Sequence, residues 1–199
     1  MNIFDFIEDI SYSIAEYIGR DDSEDEVELY EYSIFMIFSN TFTIGVGLLL
    51  SLLLGYFKYF IISEISFILI RTVAGGSHCE TFKKCFFVSN IISIISSILA
   101  FLTKDFSNFM IFISVASFFS ILPICPKPSI NSPSRGYLED MKFREKMLHR
   151  GILLFILALL FFYLDITFVT ASICSGLLMV CFVLSDFGEF FLEKLSKFF

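Results

Sequence analysis

Charge is scarce in this chain. Asp, Glu, Lys and Arg make up 18% of its 199 residues, against 56% hydrophobic, and the mean hydropathy is +0.80. That balance excludes an ordinary soluble domain, which carries more charge and less apolar surface, and places a single domain in a bilayer. A basic leader is also missing. The start, MNIFDFIEDI, alternates acids with apolar residues, which argues against a cleavable signal peptide. Cysteine is sparse and odd in number, with five residues in or beside apolar runs. A disulfide framework needs even counts and an oxidising compartment, so free thiols are expected. Histidine is rarer still, with only His78 and His149, and no internal repeat is evident.

The charge that is present is unevenly placed. Residues 1–31 hold eleven acids and one base, Arg20, a net of −10, so the rest of the chain is mildly basic. Ile3, Phe6, Ile7, Ile10, Ile14 and Ile18 recur at helical spacing, with Asp5, Glu8, Asp9 and Glu16 off that stripe. The pattern reads as an amphipathic helix. Its acids suit packing against the protein body better than lying on an anionic leaflet, where Lys and Arg are favoured. Residues 20–31 read as a solvated acidic connector, so 1–31 forms an acidic N-terminal segment.

The fold class that follows is all-α: a polytopic membrane protein with about six transmembrane or membrane-embedded helices and amphipathic terminal helices. A bilayer core needs roughly 20 helical residues. Runs 32–57, 85–103, 106–125 and 166–185 meet that length, while 59–70 and 151–164 are short. Residues 186–199 form an amphipathic tail. The segment 126–150 carries Lys127, Arg135, Lys142, Arg144, Lys146 and Arg150 against Glu139, Asp140 and Glu145, and reads as a basic loop. The positive-inside bias makes it cytoplasmic. With six crossings both termini are cytoplasmic too, and only Lys58 and Lys104 of the fourteen Lys and Arg fall outside.

The chemistry concentrates in RTVAGGSHCETFKKC, Arg71 to Cys85. Gly75-Gly76 breaks the helix and loosens the backbone. His78 and Cys85 are an acid–base and nucleophile pair, since cysteine attacks carbonyl carbon as thiolate and imidazole takes its proton. On one straight helix they would stand about 10 Å apart along the axis, so the pair requires a fold-back, with Cys85 near the start of the next helix. There the helix dipole and Lys83, Lys84 and Arg71 favour the thiolate. Two other readings stand beside it: an incidental His and Cys, or three zinc ligands in His78, Cys79 and Cys85, one short of a structural site. Arg71, or N–H groups around Gly75 and Gly76, would serve as oxyanion donors. Glu80 and Ser89 are candidates for a third member.

R-x-x-A-G-G-x-H followed by six residues and Cys resembles the accessory gene regulator protein B family, membrane peptidases of Gram-positive quorum sensing. Arg71, Ala74, Gly75, Gly76, His78 and Cys85 match in order and spacing. Length, hydrophobic runs and LPICPKP before a basic run agree more loosely. Cys79 departs from the alanine common in the family, and acids dilute the basic segment. The resemblance implies a cysteine endopeptidase that cuts a short precursor peptide and closes it into a thiolactone or lactone autoinducer, with Cys85 as nucleophile and His78 as base and acid. It also implies a homodimer and a precursor with an acidic C-terminal region. Lys127, Arg135, Lys142, Arg144 and Lys146 are then candidates for docking that region. They equally serve to set topology, or take cover from the chain's own acids at 21–31. No cofactor, metal or nucleic acid is expected.

Glu64, inside a short span, is a functional candidate by default, paired with Lys58 or facing a cavity. A noncatalytic transporter or peptide-export component built on Glu64 is the rival reading. Cys125, Cys174 and Cys181 read as packing residues. Gly45 and Gly47, with Ser39 and Ser51, allow close helix contact and offer one dimer interface.

Overall fold

The computed structural model describes residues 3–20, 22–75, 81–127 and 137–197. Among the described residues eight α-helices follow one another: α1 (Ile3–Ile18), α2 (Glu24–Leu53), α3 (Phe57–Ala74), α4 (Phe82–Thr103), α5 (Ser107–Ile121), α6 (Tyr137–Tyr163), α7 (Thr167–Leu184) and α8 (Asp186–Ser196). A 3₁₀ turn at Lys104–Phe106 joins α4 to α5. The protein is all-α, as its composition predicts.

Among the described residues, four helical runs are long and apolar enough to cross a membrane: Glu24–Leu53, Phe82–Ile121, Glu139–Tyr163 and Thr167–Leu184. The second run, 40 residues long, is the α4–α5 hairpin. Ser96 of α4 meets Ser175, whereas Ser107 at the start of α5 meets Thr167, so the two helices run in opposite senses along α7. Helix α3 carries Lys58, Glu64 and Arg71 within its 18 residues, too many charges to count by composition. Yet it lies inside the bundle. Tyr59 touches Phe101 and Phe168, and Gly176 abuts Ser63 and Ser66. Side-chain pairs fix the remaining senses. Phe35 with Phe82 and Phe42 with Phe86 make α2 parallel to α4, and Thr170 with Ala158 makes α6 antiparallel to α7. Helices α2 to α7 therefore alternate in direction through the bundle; about six membrane-embedded helices were expected, and four runs among the described residues meet the length and hydropathy of a span. Gly55, Lys104 and Asp165 mark one end. The other end gathers α1, α8, Gly75, Cys85 and Cys125.

The centre is α7. Twelve of its 18 residues are buried, which is the signature of a helix enclosed on all sides. Ala171, Ser172, Ser175 and Gly176 let its neighbours approach closely. Ser175 donates to the Ser96 carbonyl at 2.6 Å, and Thr170 donates to the Ala158 carbonyl at 3.2 Å.

Three expectations change. The acidic connector is helical from Glu24, because Glu26 reaches back to the Ser23 amide and hydroxyl at 3.0 and 2.8 Å. Glu24, Asp25 and Glu26 also sit in the first turn, where the helix dipole favours negative charge. The basic loop is in large part the first half of α6, a helix that runs unbroken into the span. In α1 the buried face is Ile7, Ser11 and Ala15, with Ile3, Phe6 and Ile18 left exposed; the helix leans on α2, and Phe4 meets Phe82 and Phe86 of α4. Of the small residues offered as a dimer face, Ser39, Gly47 and Ser51 are buried within the chain. A Cβ at Gly47 would stand 2.7 Å from Phe60 and 3.0 Å from the Asn90 amide oxygen.

Candidate active site

Helix α3 ends because Gly75 turns it. Its φ of +69° with ψ of −146° suits glycine and few other residues. The Arg71 guanidinium donates to the Gly75 carbonyl, satisfying one of the carbonyls a helix end leaves over. Across from it the Lys127 amide donates to the Ala74 carbonyl at 3.0 Å, so Gly75 and Lys127 form an isolated parallel bridge. The bridge is tight: a Cβ on Gly75 would run into the Lys127 carbonyl oxygen.

Helix α4 begins at Thr81, whose extended backbone and hydroxyl cap it. The bond from the Lys84 amide to that hydroxyl is long, 3.4 Å, and the Cys85 amide makes the first regular helical bond, to the Thr81 carbonyl at 3.1 Å. Cys85 thus stands at the end of the first turn of α4, as its sequence setting suggested. The N–H groups of that turn have no intrahelical acceptor and give the helix its positive end. Among the described cysteines, Cys85 alone is half-buried while Cys125, Cys174 and Cys181 are buried. Its sulfur lies 3.9 Å from the Ser89 hydroxyl, so Ser89 touches the thiol. Gly76, His78, Cys79, Glu80 and Arg135 lie outside the described residues.

The basic candidates separate into two groups. Lys127 is turned inward to an ion pair with Asp186 and Glu189 of α8, at 3.1 and 3.0 Å. Arg144 donates to the carbonyls of Cys125 and Pro123, each at 3.0 Å. Lys142 and Lys146 are exposed on α6, with Lys146 over the Phe143 ring. Arg150, which sequence reasoning left unassigned, donates to the Leu69 carbonyl and the Thr72 hydroxyl. A groove lined by Leu122, Met141, Lys142, Arg144, Glu145 and Leu148 runs beside the start of α6. The acids covering Lys127 come from α8 and not from 21–31; nothing in the sequence alone pairs residues so far apart.

Cys125 is a poor rival nucleophile. It is 1% exposed, and burial pushes its thiol up from the usual cysteine range, against the downward pull of Lys127, Arg71 and Arg144. Glu64 does not pair with Lys58. Its carboxyl meets Ser93 on α4, while the Lys58 ammonium lies over the Tyr59 and Phe168 rings.

The arrangement defines a class: an α-helical membrane protein with a half-buried thiol at a helix start, at the same end of the bundle as a glycine turn held by Arg71 and by the Lys127 backbone. The family model for accessory gene regulator B matches residues 11–184, and the chain belongs to that family. Membership supports a role in processing an autoinducing peptide. No curated protein and no solved structure matches the chain.

Proposed function

We propose that this protein is a membrane-embedded cysteine endopeptidase that cleaves a short precursor peptide and helps close it into a thiolactone or lactone autoinducer. The observation that carries the reading is the setting of Cys85: the described thiol that is not buried, in the first turn of α4, at the same end of the bundle as the Gly75 turn. Family membership supplies the substrate class.

In this reading the Cys85 thiol passes its proton to His78 and the sulfur attacks the scissile carbonyl carbon. First-turn N–H groups of α4 stabilise the oxyanion. Collapse breaks the C–N bond, and the His78 proton goes to the departing amine. The precursor's own thiol or hydroxyl then attacks the acyl-thioester, closing the ring, and its proton returns to the Cys85 sulfur. Water must be kept from the thioester. A site at the membrane boundary, on the helix turn where the Phe4, Phe82 and Phe86 rings cluster, suits that need. The groove beside α6, with Lys142 and apolar Leu122, Met141 and Leu148, suits an acidic peptide segment with apolar residues. By the positive-inside bias this end faces the cytoplasm. The protein acts as a homodimer, as its family resemblance implies.

Intact-mass spectrometry of the protein in lipid, incubated with its precursor, tests the reading. A Cys85-linked acyl adduct and a released C-terminal fragment, both lost in Cys85→Ala and His78→Ala, are expected. An adduct on Cys79 would move the nucleophile. Absence of adduct and fragment from folded protein, with transport lost in Glu64→Gln, would replace the peptidase by the export reading.

A further inference from the structure

Helix α8 lies wholly beyond the segment that matches the family model, which ends at residue 184. It is nonetheless tied to the site on two sides. On its apolar side, Leu192 and Leu195 pack against a cluster of Val88 and Ile92 of α4 and Val183 of α7, so α8 lies over the second and third turns of the helix that carries Cys85. On its acidic side, Glu189 and Asp186 hold the Lys127 ammonium. The Lys127 backbone in turn holds the Gly75 turn, through its amide on Ala74 and its carbonyl against Gly75.

The two acids are not equal. The Lys127 side chain is 11% exposed, Glu189 34% and Asp186 92%. An ion pair reaching into solvent contributes little, whereas a shielded one fixes geometry. Glu189 is therefore the principal partner. The helix is itself fixed at its start: the Ser185 hydroxyl accepts from the Gly188 amide at 3.0 Å, and a Cβ at Gly188 would collide with the Phe182 carbonyl. The acids are thus presented from a seated helix.

We propose that α8 is a brace of the active site, in which Glu189, aided by Asp186, positions Lys127 and through it the Gly75 turn, at the end of the bundle that carries Cys85. Lys127 is then a positioning residue whose charge is satisfied within the chain, and the acidic part of the substrate is met by other cations. The proposal rests on the peptidase reading for its effect on rate, and on the contacts above for its effect on structure.

The opposite assignment makes a prediction of opposite sign. If Lys127 docked the acidic substrate, Asp186 and Glu189 would compete with that substrate, and neutralising them would lower KM and speed cleavage. The brace requires that neutralising them slow it. In full-length protein in lipid, Asp186→Asn with Glu189→Gln, and separately Lys127→Met, should lower kcat by about tenfold or more with KM little changed, the size that misplacement by an ångström or less produces. Lys127→Arg, which keeps the charge, should restore most of it. Hydrogen–deuterium exchange supplies a readout independent of catalysis: the peptide containing Lys127 should exchange about tenfold faster in the double variant, because its amide loses Ala74 when the bridge opens. A lowered KM or faster cleavage in the double variant overturns the proposal, as does parental exchange at Lys127. A parent protein that cleaves no precursor refutes the peptidase reading, and the exchange comparison still decides whether α8 holds the turn.

Discussion

Replacing Gly75 by alanine separates catalysis from stability by an amount that can be worked from the structure. At φ +69° and ψ −146° an alanine is strained by about 1–3 kcal/mol, and its Cβ would strike the Lys127 carbonyl oxygen, with that residue's C and N at 3.4 and 3.5 Å. These are backbone atoms and cannot swing aside. The chain has a cheaper escape. Opening the bridge loses, among the described residues, the hydrogen bond from the Lys127 amide to the Ala74 carbonyl, at about 1 kcal/mol, and lets residue 75 rotate to an ordinary negative φ. The lower-cost route wins, so Gly75→Ala should lower Tm by only about 2–4 °C in a chain of this size. Cleavage per folded molecule should fall at least about tenfold, because the turn at the Cys85 end of the bundle is released. Two other glycines calibrate the result. Gly55 has φ +79° and open space around it, so Gly55→Ala carries strain alone, about 1–2 kcal/mol, and should cost comparable Tm with cleavage unchanged. Gly45, inside α2 with nothing within 4 Å of a Cβ, should gain about 1 kcal/mol of helix propensity as alanine and raise Tm. Thermal unfolding in nanodiscs, with cleavage rates on the same samples, makes the comparison. Parental cleavage by Gly75→Ala would refute the reasoning outright.

The remaining predictions test the bundle, the thiols and the basic surface. Gly176→Ala presses on the Ser63 carbonyl and stands 2.9 Å from the Ser66 Cβ; prying α3 from α7 should cost roughly 1–3 kcal/mol as overpacking does, seen as a fall in Tm. In a Cys79→Ala background near pH 7.5, iodoacetamide should modify Cys85 and spare Cys125. Burial raises the Cys125 pKa in the folded protein against the opposing cations, so folding keeps this thiol protonated. Its contribution to stability is full below the unfolded thiol range and is lost as pH rises toward the raised value, where labelling should first appear. Lys142→Gln with Lys146→Gln should slow cleavage at low salt and lose that effect at high salt, as expected for charges that raise encounter rate. Equal rates at low salt would remove these two lysines from substrate docking.

The elements that flank the candidate site were legible because their signals are local. Gly75 ends α3 and Thr81 caps α4, and both fall within fifteen residues of sequence. The helices of the bundle were legible as apolar runs, except where charge masked a helix. Acids at 24–31 look like a connector, yet a helix start is where acids stabilise, and Ser23 with Glu26 supplies the cap. Bases at 137–150 look like a loop, yet buried Met147, Gly151, Leu154 and Ala158 keep helical spacing straight across the expected boundary. A hydropathy threshold sees the charge and misses the spacing.

The basic residues are where sequence counting misleads most, and the cause is physical. A helix end leaves carbonyl groups without partners, and near a membrane boundary water is a less dependable donor. The positive-inside bias places lysine and arginine at just these ends, so the residues that orient the chain are also at hand to satisfy its carbonyls. Arg71 serves Gly75, Arg144 serves Pro123 and Cys125, and Arg150 serves Leu69. Lys127 is engaged by α8. Of Lys127, Lys142, Arg144 and Lys146, all basic by composition, two are committed inside the protein. Among the described residues, the field an acidic peptide meets at this face is therefore set chiefly by Lys142, Lys146 and Arg144, whose bonds to neutral carbonyls leave its charge uncancelled, whereas the Lys127 charge is balanced by the acids of α8.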